Sequence, residues 1–185
     1  MALLRNEKQM TTGVERYLNT KGWLTAREVP LGNIRFDLVG YNKKAKSFIV
    51  VECKRTRRET RIGQTFGQAE AYLQRIRRKG LEFIDAVSKK LPRMRFRRWM
   101  QATKRGRRFY LQFYVALPNE ACLELEVIQG LKSSMPHFGV IRVKPSGHCR
   151  SYIYKSGKVY RDLAAARPLR IPIATSSAWK QIVEE

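Results

Sequence analysis

Two short apolar runs constrain this chain more than any other stretch: Ile34-Arg35-Phe36-Asp37-Leu38-Val39-Gly40 and Phe48-Ile49-Val50-Val51-Glu52-Cys53-Lys54. Each has the length and apolar content of a buried strand, and only Tyr41 to Ser47 separates them, so the pair predicts consecutive strands. Each also carries an acid where a core strand should carry none. Strand alternation predicts Phe36 and Leu38 on one face with Asp37 on the other, and Phe48, Val50, Glu52 and Lys54 together on one face of the second strand. Carboxylates at the ends of hydrophobic strands are costly to desolvate, so they should be paired, protonated or bound to a cation. A hard divalent ion such as Mg2+ suits oxygen ligands, and Lys54 adds a mobile positive charge two residues from Glu52.

At these residues the chain resembles the PD-(D/E)xK, or restriction-endonuclease-like, nuclease superfamily. Asp37 matches its strand aspartate and Glu52-Cys53-Lys54 its E-x-K tripeptide. The resemblance implies an α/β fold with a central mixed β-sheet flanked by helices. It further implies a Mg2+-dependent DNA endonuclease in which Asp37, Glu52 and the Cys53 backbone carbonyl hold the ion, Mn2+ substituting for it. Lys54 would orient the water or neutralise charge on the attacked phosphate.

Upstream, Met10, Val14, Tyr17 and Leu18 recur at helical spacing within Asn6 to Thr20, which predicts an amphipathic helix stopped near Gly22. Glu15 falls at the edge of that stripe. Archaeal Holliday junction resolvases and Mrr-like restriction enzymes carry a glutamate on such a helix, followed by a turn that Lys21-Gly22-Trp23 resembles; this adds Glu15 to the expected catalytic and metal-binding set. Downstream, Ile62, Phe66, Ala69, Leu73 and Ile76 predict a second helix, and Arg61, Gln64, Gln68, Tyr72 and Arg75 form a polar row on its flank. The run Gln68-Ala69-Glu70-Ala71-Tyr72 resembles the Gln-Ala-x-x-Tyr that follows E-x-K in several branches of the superfamily, which implies that Gln68 lies near the active site.

Leu24 to Val29 reads as a strand closed by Pro30 and Gly32, Phe109 to Leu117 and Phe138 to Val143 as strands, and Asn119 to Leu131 as a helix between them. Helix, three strands, helix, strand, helix, strand is the order such a nuclease core requires. The expected core therefore spans about 6–79 and 108–144 of a single domain. A basic helical insertion is expected at about 80–107, broken or kinked at Pro92, and a β-hairpin with a tail, including a short last helix, over 145–185.

The chain holds 38 Lys and Arg against 15 Asp and Glu, a formal charge of +23, an excess best explained by a polyanionic partner. Candidate phosphate contacts are Lys43 and Lys44 in the turn between the acidic strands, and Arg55, Arg57 and Arg58 after E-x-K. The row Arg61, Gln64, Tyr72 and Arg75, and the insertion's Arg95, Arg97 and Arg98, complete the set. No apolar run approaches the ~20 residues of a membrane span, and three irregularly spaced cysteines form no disulfide framework. An intracellular, nucleoid-associated protein that acts on branched or duplex DNA is expected. The junction-resolvase resemblance, which covers mainly residues 10 to 75, implies a homodimer. The alternatives are an Mrr-like restriction or mobile-element nuclease, and a non-catalytic nucleic-acid-binding protein that keeps the fold.

Overall fold

In a computed structural model the described residues are 7–42, 47–55, 59–91, 108–118, 137–144, 149–155, 158–161 and 168–172. They form, in order, α1 (Glu7–Thr20), β1 (Leu24–Leu31), β2 (Ile34–Asn42), β3 (Ser47–Cys53), α2 (Glu59–Arg78), α3 (Gly80–Lys90), β4 (Arg108–Pro118), β5 (Phe138–Val143), β6 (Cys149–Lys155), β7 (Lys158–Arg161) and β8 (Leu169–Pro172). The expected helices at Asn119 to Leu131 and near the tail, and the stretch from Pro92 to Arg107, lie outside the described residues.

The sheet runs β1-β2-β3-β4-β5-β6-β7, with β8 paired to β4. Pairing is antiparallel from β1 to β3, parallel from β3 through β4 to β5, and antiparallel again through β6 and β7. This is a mixed sheet flanked by helices, as the α/β reading requires. β8 pairs antiparallel with Arg108 to Leu111 of β4, and β5 takes over from Phe113. Since β3 already pairs with Tyr110 to Ala116, β5 and β8 share the other edge of β4 end to end.

Each face of the sheet has its own core. Met10, Val14 and Leu18 of α1 pack with Leu38, Ile49, Val51, Cys53, Tyr114 and Ile141. On the opposite face, Phe66, Leu73 and Ile76 of α2 and Phe83, Ile84 and Val87 of α3 pack with Phe36, Val39, Phe48, Val50 and Phe113. Thus the segment from residue 80, expected as an insertion, supplies α3 to the core.

Local chemistry explains where the first elements stop. Gly22, at φ 79, takes the left-handed position that ends α1. Its amide donates to the Asn19 carbonyl at 3.0 Å, and the Trp23 amide to the Leu18 carbonyl at 3.1 Å, the two bonds of a Schellman cap. Pro30 does not close β1 but pairs with Arg35 inside it. β1 lies at the end of the strand order, where a missing N–H costs the ladder nothing.

The alternation expected along β2 is broken. Phe36 belongs to the α2–α3 core while Leu38 belongs to the α1 core, so the strand turns over at Asp37. β3 keeps strict alternation: Phe48 and Val50 face α2 and α3, whereas Ile49, Val51 and Cys53 face α1.

Candidate active site

The β2–β3 ladder ends at the pair Leu38 and Val51, one rung short of Asp37 and Glu52. Where that rung would lie, Asp37 Oδ2 accepts a hydrogen bond from the Cys53 amide at 2.8 Å, so a side chain replaces a main-chain acceptor. The strand end is held on its other side by the Lys54 amide, which donates to the Ala116 carbonyl at 2.9 Å. Lys54 Nζ reaches back to Glu52 Oε1 at 2.9 Å, so the two side chains share a face as their spacing predicts. Cys53 is buried on the opposite face.

Glu52 is the most enclosed of these groups, with a side chain 4% exposed. Its Oε2 is buried with no hydrogen-bond partner among the described residues. Burial, reinforced by the charge of Asp37, pushes the Glu52 carboxyl up to about 7, and the Lys54 contact only partly offsets this. Burial likewise raises Asp37, partly offset by the Cys53 amide and then by Lys54. For Lys54, burial pulls downward, but the bond to Glu52 and the nearby carboxylates outweigh it and hold the amine above the ordinary lysine value.

An oxygen buried without a donor, next to a second carboxylate, fits a divalent cation. Among the described residues no three His, Cys, Asp or Glu form a ready-made metal group. A cation between Asp37 and Glu52 would therefore complete its shell with main-chain, water and phosphate oxygens, as Mg2+ commonly does.

The flank expected from α2 is present in part. Gln68 is exposed and donates through Nε2 to the Tyr72 hydroxyl at 2.7 Å. Tyr72 packs edge-on against Phe36 with ring centroids 5.6 Å apart. Burial raises its phenol, and the charge of Glu52 adds to the rise, so the Gln68–Tyr72 pair borders the acids. Gln64 is exposed on the same helix, and Arg75 is half-buried beside Gly32 of the β1–β2 turn. Arg55 is exposed after β3. Lys43, Lys44, Arg57, Arg58, Arg95, Arg97 and Arg98, and the side chain of Arg61, lie outside the described residues.

Glu15 is engaged elsewhere. Its Oε2 accepts from Arg27 Nε at 3.0 Å and from Nη2, and its Oε1 accepts from the Thr25 hydroxyl at 3.3 Å. The α1 carboxylate turned toward the site is Glu7. Its Oε1 accepts from the Arg55 amide at 3.4 Å, and its charge bears on Asp37, Glu52 and Lys54. Sequence reasoning missed it, although Glu7, Met10 and Val14 stand at i, i+3 and i+7, which puts Glu7 in line with the buried stripe.

No family model matches the chain, and no curated protein matches it. Among solved structures, an XisH family protein from Nostoc punctiforme is 13% identical with a TM-score of 0.46, over 76% of this chain and 95% of its own. A protein of unknown function from Silicibacter pomeroyi is 16% identical with a TM-score of 0.42, over 98% of this chain and 83% of its own. Likeness at that level supports no argument about function. Among the described residues no helix is long and apolar enough to cross a membrane.

Proposed function

We propose that this chain is a divalent-metal-dependent DNA endonuclease on a restriction-endonuclease-like core. The observation that carries the reading is the meeting of Asp37 and Glu52 one rung beyond the β2–β3 ladder, with a buried Glu52 oxygen that has no hydrogen-bond partner among the described residues and the Lys54 ammonium beside it. Asp37 and Glu52 would hold the cation, with the Cys53 carbonyl as a main-chain ligand and Glu7, rather than Glu15, as the helix carboxylate near enough to assist. When bound, Mg2+, or Mn2+ in its place, would lower the pKa of water and offset charge on the scissile phosphate. Lys54, tethered to Glu52, keeps one ammonium at the position where phosphate charge develops and holds the attacking water. Gln68 and Tyr72 orient the strand at the rim, and the +23 charge supplies affinity through counterion release.

The DNA substrate is a four-way junction in the resolvase-like form of this reading, cut by a homodimer; a linear duplex is the substrate in the Mrr-like or mobile-element form. Cleavage of a four-way junction, a linear duplex and a single strand, each with Mg2+, separates these forms. Asp37→Asn and Glu52→Gln are expected to abolish cleavage while binding persists. Cleavage by both variants at the parent rate overturns the enzyme and leaves the basic DNA-binding protein that the charge alone would explain.

A further inference from the structure

β1 and β2 turn over together. Ala26 and Val29 both face α2 and α3, although residues three apart in a regular strand face opposite ways. Their partners, Val39 and Phe36, do the same. The register stays constant from Leu24 opposite Tyr41 to Leu31 opposite Ile34, so neither strand carries an extra residue. The rung between Arg27–Leu38 and Val29–Phe36 is the one missing from this ladder, and its residues are Glu28 and Asp37. Glu28 has φ 54, and among the described residues it is the only one other than glycine with a positive φ. Glutamate has no local reason to adopt that conformation, so the surrounding fold imposes it.

The turnover decides what Asp37 can touch. With unbroken alternation, Asp37 would follow Val39 into the α2–α3 core and Phe36 would face α1. Instead Phe36 enters that core between Tyr72 and Phe83, at 5.6 and 5.8 Å, and Asp37 stays at the strand edge on the Cys53 amide. The Glu28 side chain is half exposed and pairs with Arg35 at 2.8 Å, and its charge is the smallest of the influences on the Asp37 carboxyl, so the larger part of its action on Asp37 falls to the backbone.

We propose that Glu28 is a positioning residue whose left-handed backbone turns β2 over and so delivers the Asp37 carboxylate to the end of β3. This rests on the nuclease reading, in which Asp37 is a metal ligand. Its consequence is that function follows the tolerance of position 28 for a left-handed backbone, not its charge.

The test is a series of Glu28→Gly, Glu28→Asn, Glu28→Gln, Glu28→Ala and Glu28→Val in the full chain, with Asp37→Asn alongside. Two quantities are read: the rise in melting temperature on adding Mg2+, and kcat and KM for DNA cleavage. Gly and Asn take the left-handed conformation readily. They should keep the Mg2+ response and kcat within about threefold of the parent. Val should lose at least tenfold in kcat with KM little changed, and need a higher Mg2+ concentration, while Gln and Ala fall between. If Val fails to fold, the order Gly and Asn above Gln and Ala still decides. Equal loss in Gly, Asn and Gln would assign the effect to the carboxylate and overturn the proposal, and so would an indifferent series. If Asp37→Asn itself leaves cleavage and the Mg2+ response intact, the nuclease reading has failed, an outcome distinct from an indifferent series in which Asp37→Asn is dead.

Discussion

Replacing Glu52 by glutamine should make the metal-free protein more stable in mild base. The Glu52 carboxyl is raised from an ordinary 4.5 to about 7, so the folded state holds its proton more tightly than the unfolded chain does. Between those values the native protein binds more protons, and stability falls as pH rises through the window. At ~1.4 kcal/mol per pH unit the loss above pH 7 is about 3 kcal/mol. Glutamine carries no charge to desolvate and fills the same volume, so the variant escapes this loss, in which the favourable contact with Lys54 is already counted. The gain at about pH 8 is therefore at most ~3 kcal/mol, or about 6–12 °C in melting temperature for a chain of this size. Melts of parent and variant from about pH 5 to pH 8, with chelator, should diverge through this window, and added Mg2+ should raise the parent but not the variant. A variant that melts at or below the parent near pH 8, or a gap that does not change with pH, refutes the account of Glu52 as a buried, cation-seeking acid.

Two further substitutions separate the site from its surroundings. Glu15→Ala should leave Mg2+-dependent cleavage within a few-fold of the parent and cost about 1 kcal/mol or less in urea unfolding, since its pair with Arg27 is part-exposed; loss of cleavage would return Glu15 to the site. Gly40→Ala would place a methyl group 2.6 Å from Ile49 Cγ2 and 3.4 Å from the Trp23 ring, and the branched Ile49 cannot swing aside, so unfolding should shift by about 1–3 kcal/mol.

Much of this architecture was legible because short-range rules govern it. The apolar runs became β2 and β3, and the α1 stripe and the Gly22 stop fell where spacing and turn chemistry put them. The pairing of Glu52 with Lys54 followed from unbroken alternation in β3. What escaped was set by neighbours distant in sequence. Nothing local marks Glu28 as left-handed, so the exchange of faces between Phe36 and Leu38 was invisible. Glu15 and Glu7 both border the α1 stripe, and only the placement of Arg27 on β1 and Arg55 after β3 decides which one turns to the acids. Pro30 looked like a strand terminator because its sequence does not reveal that β1 is the outermost strand.

The seating of β8 has a consequence for how the molecule comes into being. Its partner β4 lies at the middle of the sheet, yet Arg108 meets Pro172, roughly sixty residues later. Closing so long a loop is slow compared with forming hairpins or helices. During synthesis the central strand must wait, one flank half bare, until the ribosome has moved far beyond it. The acids on β2 and β3 are thus made well before the sheet that steadies them is whole.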